Sequence, residues 1–362
     1  MSFDLDAALA ETVALGASDL HLKVPAVPRV RVDGELQELE GYPPLRSEDT
    51  AEIKERVLVS ETKLEHFERY GSADLSYYTD QGRFRVAAFS QRGSASFVFR
   101  AIPAAPDPDE LGLPDVVHSW ADAVRGLVVI TGPTGAGKST TQAAIVDLVN
   151  RRRTCHILTI EDPIEYLHND RRAVVCQREI GLDAPTYHVA LRAALRQDPD
   201  VILIGEVRDE ETAMTALRAA ETGHLVLCTM HTTNAPETVQ RFIDLFGERS
   251  ATLARQILAS TLVGVCSQRL LPAQRGGRLL NAEILVKSAR VREMISTGRG
   301  IKDLHTAIVE GDYYGMRSFD QCLLAHVRSG SVTMTDALTY ASDPHDFKLA
   351  LETTAPPAPV EG

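Results

Sequence analysis

The chain has 362 residues, 44% of them hydrophobic and 24% charged, with a formal net charge of −12. That length predicts about two domains with ordinary apolar cores, and no stretch approaches the ~18 uninterrupted apolar residues of a membrane span. The acidic balance argues against a nucleic-acid-binding surface, the start MSFDLD has no signal-peptide pattern, and five cysteines without a C-x-x-C pair suit reduced thiols in a cytoplasmic protein.

Leu5, Ala8, Leu9, Thr12 and Val13 recur at helical spacing, and Gly16 is placed to end that helix. Short strands follow at 19–24, 29–32 and 35–39, the last two joined through Asp33-Gly34, a two-residue hairpin signal. Helices are predicted at 47–58 and 61–70, then strands at 73–78, 83–91 and 95–102. Together these describe a small α+β domain with an antiparallel sheet, residues 1–101. Pro103, Pro106 and Pro108 mark residues 102–112 as a linker.

Beyond the linker the texture changes. Residues 127–130, 157–160, 201–204 and 225–229 are continuous apolar runs, as parallel strands covered on both faces would be, with room for crossover helices between them. This is an α/β doubly wound core, in which ligands gather beyond the carboxyl ends of the strands. The first run leads into Gly132, Pro133, Thr134, Gly135, Ala136, Gly137, Lys138 and Ser139, a phosphate-binding loop. Its glycines let backbone N–H groups curl around phosphates, Lys138 neutralises the β/γ oxygens, and the Ser139 hydroxyl can ligate Mg²⁺. Thr140 opens a helix at 140–149, whose N-terminus favours the anion. A nucleoside triphosphate with Mg²⁺ is therefore the expected ligand.

The other strand ends carry Glu161-Asp162-Pro163-Ile164-Glu165, Gly205-Glu206-Val207-Arg208-Asp209 and His231-Thr232-Thr233-Asn234. They converge where the γ-phosphate and an attacking water would lie. Glu206 takes the metal-anchoring position, reaching Mg²⁺ through water, and Glu161 orients or deprotonates the water; on sequence alone these roles can be exchanged. His231 suits γ-phosphate sensing, because polar residues follow it at the end of its strand. Arg208 either contacts nucleotide or pairs with Asp209 or Glu210. His224 either serves the site or caps the Thr222-Gly223 turn. Arg151-Arg152-Arg153 reads as a solvated helix end, where cations suit the dipole.

ILTIEDPIEY (157–166), LRQDPDVILIGEVRD (195–209) and GHLVLCTMHTTNA (223–235), in this order, resemble the aspartate box, signature and histidine box of the type II/IV secretion ATPase superfamily. GASDLHL (16–22) and GRFRVAAF (82–89) resemble the N-terminal domain of its type IV pilus retraction branch, and YYGMRSFDQ (313–321) its C-terminal segment. The resemblance spans roughly residues 5–351. It implies a PAS-like N-terminal domain, a RecA-like ATPase domain over 113–352 with a C-terminal helical part, and a disordered tail at 353–362. It further implies ATP hydrolysis that powers pilus retraction and twitching motility by a homohexamer. The implied partner is an inner-membrane pilus platform protein, with no nucleic acid involved. The motor would sit in the cytoplasm at the inner face of the membrane, held there only through that partner.

The same resemblance puts ATP between the two domains and makes Arg83 and Arg85, which share a strand face, contacts to nucleotide or to the neighbouring subunit. Asp19 and His21 also share a face, as a buried pair or an interface element. Assembly and secretion ATPases usually carry a large extra N-terminal domain and often a four-cysteine zinc motif, neither of which is expected here. One departure from the retraction branch is residues 289–295, which stand where an AIRNLIRE-like segment is common. A pilus-extension or type II secretion ATPase is the alternative of the same chemistry. A nucleic-acid translocase, or a regulatory subunit that hydrolyses ATP poorly, would be of another class.

Overall fold

Asp33 and Gly34 both take positive φ, 49° and 88°, the left-handed pair that a two-residue hairpin demands. They join β2 (Arg29–Val32) to β3 (Glu35–Glu38), and β2 pairs on its other side with β1 (Asp19–Leu22). With β4 (Ser72–Thr79), β5 (Gly82–Gln91) and β6 (Ser94–Ala101) these form an antiparallel six-stranded sheet, ordered β3-β2-β1-β6-β5-β4. The computed structural model describes residues 3–353, and the chain divides into one unit up to residue 104 and another from residue 105.

Strand alternation separates the two faces of the first sheet. Leu20 and Leu22 of β1 stand opposite Phe99 and Phe97 of β6, and these opposite Val86 and Ala88 of β5, all buried in the core of this unit. Helices Leu5–Ala14, Ser47–Val57 and Glu61–Tyr70 belong to the same unit. The other face carries a polar row in register: Arg31, Asp19, Arg100, Arg85 and Ser76 on five successive strands. Asp19 accepts from Arg100 Nε at 2.8 Å and from Ser18 Oγ at 2.6 Å. His21 Nε2 is buried without a hydrogen-bond partner.

The second unit is built on β7 (Gly126–Thr131), β8 (His156–Glu161), β9 (Val174–Glu179), β10 (Val201–Ile204), β11 (Leu225–Met230), β12 (Leu262–Pro272) and β13 (Arg278–Val286). Their order is β13-β12-β7-β11-β10-β8-β9, every pair parallel except β12 with β13. β7, β8, β10 and β11 bury both faces, as their continuous apolar runs predict. Val128, Ile130, Leu203 and Leu227 pack with Ala144, Ile145 and Leu148 of the helix Lys138–Arg152. Their neighbours Val129, Ile202 and Val226 pack on the opposite side with Leu217, Phe242 and Leu258.

The helix after the phosphate loop begins at Lys138, two residues before the predicted start. A smaller cluster joins Leu271 of β12 to Leu323, Val332, Ala337 and Phe347 of the C-terminal helices. Thr353 ends the helix Pro344–Thr353, and residues 354–362 of the predicted tail lie outside the described residues. Residues 289–295 belong to the helix Ala289–Thr297, with Val291, Met294 and Ile295 buried. No described helix is long and apolar enough to cross a membrane.

β12 can lie beside β7 with Trp120 across it only because residue 264 has no side chain. A Cβ at Gly264 would stand 2.4 Å from Trp120 Cζ2 and 2.9 Å from the Leu285 carbonyl oxygen. Gly264→Ala is therefore expected to cost about 1–3 kcal/mol of stability, as overpacking in a dense core does. Thermal or urea unfolding of the purified variant measures this, and an unchanged midpoint would refute the close approach.

Candidate active site

The phosphate loop leaves β7 at Gly132, whose φ of +144° lies outside the range of L-residues. A Cβ there would meet the Gln268 carbonyl oxygen at 2.4 Å, so glycine is required for space as well as for φ. Gly135 and Gly137 take φ of +79° and +85°, and Gly137 caps the helix Lys138–Arg152. The first N–H groups of that helix have no intrahelical acceptor, which makes this end an anion site. Lys138 Nζ donates to the Gly132 and Pro133 carbonyls at 2.8 and 3.0 Å. Burial draws its pKa below the ordinary lysine range, with Glu206 opposing. Two further contacts fix the helix: Thr141 Oγ1 accepts from Gln268 Nε2 at 2.7 Å, and Thr140 Oγ1 lies 2.9 Å from the Tyr166 hydroxyl.

Glu161 ends β8. Its Oε1 accepts from Thr159 Oγ1 at 2.6 Å and from Gln177 Nε2 at 3.1 Å, Gln177 being the β9 residue in register with Thr159. Gln177 also donates to the Tyr166 carbonyl at 2.9 Å, so one amide joins the carboxylate to the loop that follows it.

Glu206 follows β10 by one residue, beyond Gly205. Arg208 Nη2 stands 2.6 Å from its Oε2 and His231 Nε2 3.4 Å from its Oε1. Burial pushes the Glu206 carboxyl up, but the Arg208 hydrogen bond and the cationic neighbours outweigh it and hold the pKa below the ordinary value. Arg208 thus pairs with Glu206, and Asp209, one of its suggested partners, instead caps the helix Glu210–Glu221 through the Thr212 N–H at 2.8 Å.

A cleft of about 720 Å³ brings together Thr134, Gly135, Ala136, Gly137, Lys138, Ser139, Thr140, Glu161, Glu206 and His231. Arg208 is not part of its lining and reaches the group through Glu206. Ser139 and Glu206 offer the oxygen donors that suit Mg²⁺, which commonly takes one or two protein oxygens and completes its shell with substrate phosphates and water. Arg83 and Arg85 belong to the first unit. Arg83 is buried there, donating to Ser76 Oγ at 3.1 Å with its guanidinium 4.7 Å from the centre of the Tyr78 ring, whereas Arg85 is half-buried. His224 Nδ1 lies 3.0 Å from the Ala219 carbonyl and serves the turn before β11.

Several cleft residues were not anticipated. His168 lines it, and burial draws its pKa down to about 4, so the imidazole is neutral at neutral pH. Tyr187 abuts Gly205, and burial together with Asp162, Glu206 and Glu161 raises its pKa. Leu270, Arg278 and Leu280 come from the β12–β13 hairpin, which turns through Gly276 and Gly277, both at positive φ. That Gly-Gly pair between two apolar runs was the available signal.

A family model described as type II/IV secretion system protein matches residues 2–311. The type IV pilus retractation ATPase PilT of Pseudomonas aeruginosa is 40% identical over 346 residues, covering 95% of this chain and 100% of the relative. The twitching motility protein of Neisseria gonorrhoeae is 38% identical over 308 residues, 84% of this chain and 82% of that protein. A crystal structure of the pilus retraction motor PilT with bound ADP matches with a TM-score of 0.85 at 40% identity, covering 96% of this chain and 100% of that one.

A carboxylate with a depressed pKa stays ionised above the ordinary range and loses its interactions only as pH falls through the lowered value. Arg208→Ala removes the chief group holding Glu206 down. The acid limb of kcat/KM for ATP against pH is expected to move to higher pH in the variant. Coincident limbs in the two proteins would detach Arg208 from the control of Glu206.

Proposed function

This chain belongs to the type II/IV secretion system protein family, and on that premise we propose that it is a P-loop ATPase whose turnover powers type IV pilus retraction and twitching motility. The observation that carries the reading is the meeting of Lys138, Glu161, Glu206 and His231 in one cleft at the carboxyl ends of four parallel strands. That cleft occurs in a chain matched along nearly its whole length by a retraction ATPase.

Phosphoryl transfer asks little covalent chemistry of the protein and much positioning and charge stabilisation. Glu161 is the general base that orients or deprotonates the attacking water. Its fixed Oε1, held by Thr159 and Gln177, supports that role over a freely rotating carboxylate. Glu206 anchors Mg²⁺ through the metal's water shell, with Ser139 as the direct ligand. Mg²⁺ bound with ATP supplies charge neutralisation at the β/γ oxygens. Lys138 contacts those oxygens and His231 senses the γ-phosphate. Arg208 is supported as a further contact to the nucleotide by its pairing with Glu206. In the first unit, half-buried Arg85 is the better supported contact to nucleotide or a neighbouring subunit, since Arg83 is buried within its own unit.

The working form on this reading is a homohexamer. It acts on a pilus platform protein from the inner face of the bacterial cytoplasmic membrane and binds no nucleic acid. The chain's net charge of −12 supports the last point, because unspecific binding to nucleic acid draws on cationic contacts to phosphate.

Glu161→Gln is expected to keep Mg·ATP affinity within about threefold while turnover falls by about 10²–10⁴, the ordinary worth of a general base. Equilibrium nucleotide binding and steady-state hydrolysis measure the two. Lost binding in that variant, with hydrolysis retained in Glu206→Gln, would exchange the roles. In cells, deletion is expected to leave surface pili that no longer support twitching, and a bald phenotype would instead mark an extension motor.

A further inference from the structure

The segment between β11 and the helix Ala235–Asp244 carries His231 at its start, and two sets of buried groups outside the cleft fasten it. The first is Glu283 on β13, 2% exposed, whose Oε1 accepts the backbone N–H of Ala235 at 2.7 Å. The second is a chain of hydroxyls. Thr232 Oγ1 lies 2.7 Å from Thr238 Oγ1, which donates to the Asn234 carbonyl at 2.7 Å and stands 3.4 Å from Thr131 Oγ1, and Thr131 lies 3.0 Å from Ser267 Oγ. Thr131 is the last residue of β7, directly before the phosphate loop. None of these residues lines the cleft.

Glu283 takes the first N–H of the helix, which the local caps leave unpaired. The helix is already capped locally, with Asn234 Oδ1 accepting the Glu237 N–H at 2.8 Å and Glu237 Oε2 accepting from the Thr233 backbone at 3.2 Å. A buried carboxyl reaching across 48 residues adds something local caps cannot, a fixed position of the segment against the sheet. Burial pushes the Glu283 carboxyl up and the Ala235 N–H opposes it. In either protonation state an oxygen remains to accept that N–H.

We propose that Glu283 is a positioning residue for His231. Through the Ala235 N–H, and together with the Thr232–Thr238–Thr131 hydroxyls, it holds the His231–Asn234 segment in register with the end of β7. The two segments that meet the γ-phosphate, one at Lys138 and one at His231, then keep a set separation. The inference rests on the proposed sensing role of His231.

The test compares Glu283→Ala, Glu283→Gln, Thr232→Val, His231→Ala and the Glu283→Ala/His231→Ala pair in the full chain. Steady-state ATPase assays are combined with backbone hydrogen exchange over residues 231–238. Glu283→Ala is expected to lower kcat about tenfold or more with KM for ATP within about twofold, and to speed exchange in that segment. Glu283→Gln, whose amide oxygen still accepts, should restore both to within about threefold of wild type. The double variant should be no slower than His231→Ala alone, because the two act as one unit.

An unchanged kcat in Glu283→Ala, a loss that multiplies fully with that of His231→Ala, or exchange that stays as in wild type would each overturn the proposal. Should Glu283→Ala fail to fold, Thr232→Val decides. A lower kcat at unchanged KM supports the anchoring, and wild-type kinetics defeat it. If His231→Ala alone leaves kcat untouched, the sensing role of His231 fails, while exchange in the Glu283 variants still judges whether the segment is anchored.

Discussion

The geometry of the cleft depends on a clamp of backbone bonds at Gly205. Its N–H donates to the Ile160 carbonyl at 2.7 Å, just before Glu161, and its own carbonyl accepts from the Thr229 hydroxyl. The Val207 N–H then donates to the Thr229 carbonyl at 3.0 Å, two residues before His231. Residue 205 is thus tied to both neighbouring strands at the level where they end. The space there is tight: a Cβ would stand 2.7 Å from the Tyr187 hydroxyl, which would have to move aside, and 3.3 Å from the Ile160 carbonyl. Parallel register sets Ile160, Ile204, Cys228 and Val129 side by side across four strands. Glu161, Glu206 and His231 follow that row by one to three residues, so their meeting is a property of the backbone before any side chain is placed.

Around this clamp the cleft is richer in carboxylates than an anion site would suggest. Glu161, Asp162, Glu165 and Glu206 line it together with Lys138 and Arg278. Uncomplexed triphosphate would meet repulsion on the carboxylate side of such a cleft, and a metal-bound triphosphate much less. The helix N-terminus and the loop N–H groups supply attraction that needs no side-chain charge. The groups suited to anion binding are thus mainly backbone, whereas the side chains beside them are mainly carboxyl groups.

What could be read from the sequence follows from how local each signal is. The hairpin at Asp33-Gly34, the phosphate loop and the four buried strands are each written in consecutive residues, and the sheet sets those strands side by side. β9 escaped because VVCQRE lies at the sheet edge and alternates only weakly, its register with β8 being fixed by pairing across 18 residues. Gln177 was invisible for the same reason, since its role comes from standing beside Thr159 and not from any motif. The pairing of Arg208 with Glu206 was missed in favour of Asp209 and Glu210, which come next in sequence. A helix start intervenes and turns those residues to capping and to its first turn. Glu283 carries no signal at all, because an acidic residue in an apolar strand acquires meaning only once Ala235 is found beside it.

The acids and the cations at the site differ in how firmly they are held. Glu161 is fixed by one donor on its own strand and one on the neighbouring strand, and the Glu206 side chain is only 17% exposed. The cations that meet Glu206 are looser: Arg208 is 74% exposed and His231 45%. Preorganised dipoles and charges work best where reorganisation would be costly, which for hydrolysis is the base beside the attacking water. Charge on the transferring phosphoryl group, by contrast, spreads and moves during reaction, and long or exposed cationic side chains can follow it at little cost. A rigid acidic wall set by strand ends, facing cations with freedom to adjust, is the arrangement that such a shift of charge favours.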